Sequence, residues 1–175
     1  RIQDALGGTL FLDDMGDLSA ECQAKILRLV EDHTWSPVGD PRPRHADVRV
    51  LAAAGDDFLA RVQRREFRAD LYYRLSVVEI RLPPLRERPG DIRELVARFI
   101  ETANRENHRE VEGIDDDALA LLCDYPWPGN VRELYNLVTR LVIFKRAGRV
   151  SLADLPQHLR ERSRTLPVSA WSTTV

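Results

Sequence analysis

The chain has 175 residues, of which 43% are hydrophobic and 31% charged, with a formal net charge of -2. That length holds one domain with a core of its own, or a domain with a small satellite, and the composition is that of a soluble globular protein. No apolar run approaches the roughly 20 residues that span a bilayer, and the near-neutral charge gives no general pull toward nucleic acid or acidic lipid, so DNA binding would need a local patch.

In chain order, residues 9–12 read as a short buried strand that runs directly into Asp13-Asp14. Ser19 can cap a helix whose apolar positions Cys22, Ile26, Leu29 and Val30 recur at helical spacing up to about Asp32. Residues 35–38 and 48–53 predict two strands, joined by Gly39-Asp40-Pro41-Arg42-Pro43-Arg44, and the second is apolar enough for a buried parallel strand. A short helix is expected over 57–65, another turn or two over 69–75, and a third buried strand over 77–82. Pro83-Pro84 marks a boundary, because neither ring donates a backbone hydrogen bond. Beyond it the pattern is wholly helical. Ile92, Leu95, Val96, Phe99 and Ile100 mark one amphipathic helix, Ala118, Leu119, Leu121 and Leu122 a second, and Val131, Leu134, Val138, Leu141 and Val142 a third. Asn130 and Glu133 have the spacing of a capping box at the start of that third helix. The serine- and threonine-rich stretch 166–175 reads as a linker or frayed tail.

An apolar strand ending in two carboxylates puts hard oxygen ligands at the carboxyl end of a strand, where open α/β sheets hold their ligands. Magnesium suits such a place, being held by one or two carboxylates together with substrate phosphates and water. Asp13 is then the metal ligand beside a triphosphate, and Asp14 polarises the attacking water. The alternative is an ordinary strand-to-turn transition. Triphosphate chemistry also needs positive charge where negative charge develops. Arg68 and Arg74 flank a short helical turn, and Arg132 lies at the second position after Asn130, near the positive end of a helix. Each has a plainer reading as an exposed arginine paired with Glu66, Asp70 or Glu133. Cys22 and Cys123 lack metal-like spacing and are expected to be buried thiols of a cytosolic protein. The four histidines are scattered. The chain starts at Arg1 without a secretory pattern and its one methionine is Met15, so it is expected to be a piece of a longer polypeptide.

Five segments carry a resemblance: Gly-Gly-Thr-Leu-Phe-Leu-Asp-Asp from Gly7, Val-Arg-Val-Leu-Ala-Ala from Val48, Phe-Arg-Ala-Asp-Leu-Tyr-Tyr-Arg-Leu from Phe67, Leu-Pro-Pro-Leu-Arg-Glu-Arg from Leu82, and Tyr-Pro-Trp-Pro-Gly-Asn-Val-Arg-Glu-Leu from Tyr125. In this order and spacing they closely resemble the AAA+ domain of sigma-54-dependent transcriptional activators, over residues 5–156. The resemblance implies an α/β fold: an incomplete AAA+ P-loop NTPase sheet with helices over 1–84, then a small all-helical lid subdomain over 85–159, with 160–175 a linker or tail. It implies a cytoplasmic protein, away from membranes, whose intact form is a hexameric ring ATPase. That ring would use ATP and Mg²⁺ to remodel the sigma-54 RNA polymerase holoenzyme at promoter DNA. Asp13 matches the family's Walker B aspartate on magnesium, and Asp14 stands where the family has the glutamate that orients water. Arg68 and Arg74 match the arginine fingers that reach a neighbouring subunit's nucleotide, and Arg132 matches the sensor arginine of the lid.

The chain departs from the family in three places. Asp14 is one carbon-carbon bond shorter than glutamate, on the order of 1.5 Å, and Ala54-Gly55 replaces the usual Thr-Asn, removing the side chain that senses the γ-phosphate. Both changes predict weakened or uncoupled hydrolysis. The chain also contains no Gly-x-x-x-x-Gly-Lys-Ser/Thr phosphate loop, its only lysines being Lys25 and Lys145. The sigma-contacting loop and the DNA-binding domain likewise fall outside these residues. ATP hydrolysis is thus expected of the intact domain and not of this chain alone. The alternative is a non-catalytic truncated interaction fragment that docks on ring subunits or polymerase. The family's central strand, between those matching 48–53 and 77–82, is absent too, so unpaired edges and exposed apolar faces are expected beside a more stable lid.

Overall fold

The computed structural model describes residues 2–37, 39, 40, 42–55 and 57–163. These form two compact units, Arg1–Ile80 and Arg81–Val175 by their division along the chain.

The first unit is built on two parallel strands, β1 (Thr9–Leu12) and β4 (Arg49–Ala52), paired in register from Thr9 with Arg49 to Leu12 with Ala52. A parallel pair needs a long crossover, which here contains α1 (Ala20–Glu31) and a hairpin of β2 (Thr34–Trp35) with β3 (Arg44–His45). Ser19 caps α1 as its sequence position suggests, its hydroxyl accepting from the Cys22 N–H at 3.3 Å. Two short helices follow, α2 (Phe58–Gln63) and α3 (Ala69–Leu75). Met15, Phe67 and Leu71 form the buried centre of this unit, with Leu12, Leu18, Ile26, Phe58 and Tyr72 packed around it. The Phe58 ring meets Phe67 edge-on at 4.6 Å between centroids and Tyr72 at 5.6 Å, tying α2 to the segment that enters α3.

Three expectations fail over residues 1–82, while the open strand edge and exposed apolar faces expected there are found. β4 is mostly exposed, because among the described residues β1 is its only sheet neighbour and a parallel strand is buried only when flanked and covered. Residues 77–82 form no strand: apolar composition alone does not make a strand when no neighbouring ladder accepts its N–H groups. Val77, Val78, Ile80 and Leu82 are instead 79–81% exposed. Cys22 is exposed as well, since α1 turns Gln23 and Leu29 inward from its adjoining positions.

The second unit is helical, as expected, with one addition. Pro89 starts α4 (Pro89–Asn107), which packs with α5 (Asp116–Asp124) and α6 (Asn130–Lys145), while α7 (Gln157–Ser163) contacts α5. The addition is a parallel pair, β5 (Glu110–Ile114) with β6 (Ala147–Val150), interrupted by a bulge between Val111 and Gly113. The Asn104 side chain extends this pair like a third strand, donating to the Val111 carbonyl at 2.8 Å and accepting from its N–H at 3.0 Å. One continuous core runs from Leu85 through Ile92, Val96, Leu122, Trp127, Leu134 and Val142 to Leu159. The partly buried Cys123 thiol is pushed up from its ordinary pKa by that burial. The expected tail 160–175 begins inside α7; its remainder, with the stretch 166–175, lies outside the described residues. No helix among the described residues is long and apolar enough to cross a membrane.

The contrast between one small buried cluster and one extensive core sets the order of local stability. Amide hydrogen exchange should show stronger protection across 85–159 than across 8–82. Stronger protection in the earlier segment would contradict this.

Candidate functional site

Asp13 and Asp14 leave the carboxyl end of β1 together, and both are exposed. Three backbone bonds place them. The Ala53 N–H donates to the Leu12 carbonyl at 2.8 Å, the Met15 N–H donates to the Ala53 carbonyl at 3.0 Å, and the Asp17 N–H donates to the Asp14 carbonyl at 3.0 Å. The chain therefore folds back over the end of β4 within three residues. Asp14 makes the bend in the left-handed region, at φ 56° and ψ 48°, which aspartate adopts far more readily than most residues. Its N–H donates to Asp13 Oδ1 at 3.0 Å, so one carboxylate oxygen of Asp13 orders the bend.

Gly55 lies two residues beyond Ala53, whose carbonyl accepts from the Met15 N–H. A Cβ added there would come within 3.3 Å of Asp57 Oδ1, a contact that a modest shift of the Asp57 side chain relieves.

Two residues not singled out in the sequence fix the loop. Arg61 on α2 donates from Nη1 to the Gly16 carbonyl at 2.7 Å and to Asp17 Oδ1 at 3.0 Å, and from Nε to Asp57 Oδ2 at 3.1 Å. The bond from Arg61 Nε holds the Asp57 carboxyl below the ordinary aspartate range. Gln23, 2% exposed, donates from Nε2 to the Leu18 carbonyl at 2.8 Å and the Glu66 carbonyl at 3.4 Å, while its Oε1 accepts from the Arg68 N–H at 2.9 Å. The sequence held a signal for it: Gln23, Ile26, Leu27 and Val30 share one helix face, so a polar group stands where an apolar one is expected.

Arg68 and Arg74 sit at the two ends of α3, and each has a carboxylate partner. Arg68, at the N-cap, grips Asp70 with two bonds, Nε to Oδ1 at 3.0 Å and Nη2 to Oδ2 at 2.6 Å. Arg74 donates from Nη2 to Glu31 Oε1 at 2.9 Å, on α1. Both pairs are about half exposed, and such surface pairs contribute little to stability.

Arg132 belongs to the second unit and has no hydrogen-bond or ion-pair partner among the described residues. It lines a cleft of about 420 Å³ with Tyr125, Asn136, Arg140 and His158. The expected capping box is not formed. Gly129 is the N-cap of α6; Glu133 Oε2 accepts from the Gly129 N–H at 2.8 Å, and Asn130 Oδ1 accepts instead from the Leu85 N–H at 2.8 Å. Asn130 is free to do so because it takes a left-handed backbone, φ 51°, that turns its side chain away from the first helical turn. Glycine is required at 129, where a Cβ would lie 2.8 Å from that of Glu133.

Two family models cover nearly all of the chain. Residues 1–81 match the sigma-54 interaction domain and residues 86–171 the AAA+ ATPase lid domain. The chain belongs to the AAA+ family of sigma-54-dependent activators. Among curated relatives it is 41% identical over 168 residues to the DNA-binding transcriptional regulator NtrC of Rhizobium meliloti, covering 96% of this chain and 34% of that protein. It is 45% identical over 155 residues to the alginate biosynthesis regulator AlgB of Pseudomonas putida, covering 89% and 35%. The crystal structure of NtrX from Brucella abortus in complex with ATP matches 95% of this chain and 38% of that one, with 35% identity and a TM-score of 0.81. The chain thus spans about a third of the length of these relatives. The fold is that of the AAA+ α/β domain followed by its lid, with the β5·β6 pair set among the lid helices.

The Arg68 pair gives a direct pH test. Its hydrogen bonds lower the Asp70 carboxyl below the ordinary aspartate value, and Asp70 in turn raises Arg68. Since the folded value is depressed, the contact is intact at neutral pH and is lost only as pH falls through that lowered value. Carbon-13 NMR of the Asp70 carboxyl should show it titrating below free aspartate, and Arg68→Ala should move it back up. An unmoved titration would contradict the pairing.

Proposed function

We propose that this chain works as the metal, finger and sensor part of an AAA+ ATPase ring, which couples ATP hydrolysis to remodelling of sigma-54 RNA polymerase in the cytoplasm. The observation that carries the proposal is the exposed Asp13-Asp14 pair at the carboxyl end of a parallel strand, locked in place by the Met15–Ala53 bond. The domain roles follow from it: 1–84 a partial α/β core, 85–159 the lid.

The donor set fits magnesium. Asp13 offers hard carboxylate oxygen, only one atom of which is occupied by a backbone N–H. Bound there, Mg²⁺ neutralises phosphate charge during transfer. Asp14 orients the attacking water from a backbone fixed by the bend. Its short side chain, with Gly55 lacking any, predicts slow hydrolysis, since a misplacement of about 1 Å at the reacting centre costs roughly 10²-fold.

Arg68 and Arg74 are the groups offered to the nucleotide of an adjacent subunit, where such an arginine contributes about 10³ to 10⁵ in rate. Their present partners support this reading: half-exposed carboxylates keep the guanidinium groups ordered, yet exchange easily for a phosphate. Arg132, with no carboxylate on it, is the lid's phosphate contact. The open edge of β4 and the exposed residues 77–82 fit a sheet completed by a strand from outside these residues, as the phosphate loop would be. NtrX, a relative by sequence and fold, binds ATP in its crystal.

The experiment is ATP turnover by the ring-forming polypeptide that carries these residues with a phosphate loop. Asp13→Asn should abolish magnesium-dependent turnover. Asp14→Glu with Gly55→Asn should raise it by at least about tenfold. Turnover unchanged in both variants would overturn the assignment of the hydrolytic centre.

A further inference from the structure

Gln23 is the one buried polar residue among the described residues, only 2% exposed. Burying a polar group is costly unless it is hydrogen-bonded. Gln23 meets that requirement by joining two segments that the proposed function uses for different nucleotides. On one side, its amide donates to Leu18, the residue that closes the turn starting at Asp14 through the Asp17 N–H to Asp14 carbonyl and Leu18 N–H to Met15 carbonyl bonds. On the other, it donates to the Glu66 carbonyl and accepts from the Arg68 N–H. Arg68 and Glu66 lie 45 and 43 positions away in sequence. Met15 packs against the neighbouring Phe67 and Leu71, but among the described residues Gln23 makes the side-chain hydrogen bonds that link the turn to the Arg68 backbone.

The bond inventory is specific to glutamine. Both amide hydrogens and the oxygen are used. Glutamate keeps the acceptor for Arg68 and loses the donors for Leu18 and Glu66; leucine fills the space and makes none of the three; asparagine is shorter by about 1.5 Å. The Asp14 turn is thus linked at Leu18, through one fully hydrogen-bonded side chain, to the main chain of Arg68.

We infer that Gln23 is a positioning residue that couples the carboxylate loop at a subunit's own nucleotide to the Arg68 finger it presents to the next subunit. This rests on the reading of Arg68 given above. The coupling has a direction that a packing role lacks: it acts through Arg68, so its loss should vanish where Arg68 is already gone.

The test has two arms. In this chain, amide exchange at Arg68 should accelerate by at least about tenfold in Gln23→Leu, with Val96 and Ile100 of α4 unchanged. In the ring-forming polypeptide, Gln23→Leu and Gln23→Glu should each lower kcat for ATP by about tenfold or more with KM within about twofold, and Gln23→Leu should cost nothing further in an Arg68→Ala background. Gln23→Glu, which keeps the bond to the Arg68 N–H, serves where Gln23→Leu fails to fold. Losses that multiply with Arg68→Ala, or an unchanged kcat despite faster exchange at Arg68, overturn the inference alone. An Arg68→Ala variant with normal turnover overturns the finger reading, and the coupling with it.

Discussion

Met15 stands one residue past the two carboxylates, its side chain sealed against Phe67 and Leu71 and its N–H bonded to the Ala53 carbonyl at the end of β4. Everything proposed for the first unit hangs on that arrangement. The side chain is the only fully buried anchor on the loop, so burying it fixes where Asp13 and Asp14 emerge. The same burial packs the loop against the segment from Phe67 to Leu71, which carries Arg68. Arg61 and Gln23 add polar bonds at the rim and the base of this cluster. An apolar centre thus sets the positions, and hydrogen bonds with few alternative geometries set the angles.

The two units solve the problem of burial differently. In the second, amphipathic helices cover one another around a single core, and the short β5·β6 pair is closed by the Asn104 side chain. In the first, the β1·β4 sheet has two strands and an open edge at β4, and the large apolar residues Val77, Val78 and Ile80 face solvent. Each such side chain would contribute about 1.5–3 kcal/mol if fully buried. That is the energetic reason the proposed site suits a larger sheet.

Much of this was legible in the sequence because it is local. The strand before Asp13-Asp14, the Ser19 cap and the helices over α4, α5 and α6 follow from spacing within one element. What failed was nonlocal. Residues 77–82 look like a strand but need a partner to be one, whereas Glu110–Ile114, polar and interrupted by Gly113, becomes a strand because Ala147–Val150 lies alongside. Asn130 has the spacing of a cap, but its partner is Leu85, 45 residues away. At the site, the carboxylate pair and the Arg68–Asp70 contact could be read from neighbouring letters. The Arg74–Glu31 pair and the Gln23 bonds to Glu66 and Arg68 could not, since each joins residues more than 40 positions apart.

The central claim is that Asp13-Asp14 and the arginines of α3 serve different nucleotides, one within the subunit and one across the ring. Mixing two inactive forms of the ring-forming polypeptide tests it directly: one with Asp13→Asn and intact arginines, the other with intact carboxylates and Arg68→Ala plus Arg74→Ala. The account predicts that the mixture regains ATP turnover that neither form has alone, because each supplies what the other lacks across a shared interface. A mixture as inactive as its components would mean that these groups act within one subunit, and would contradict it.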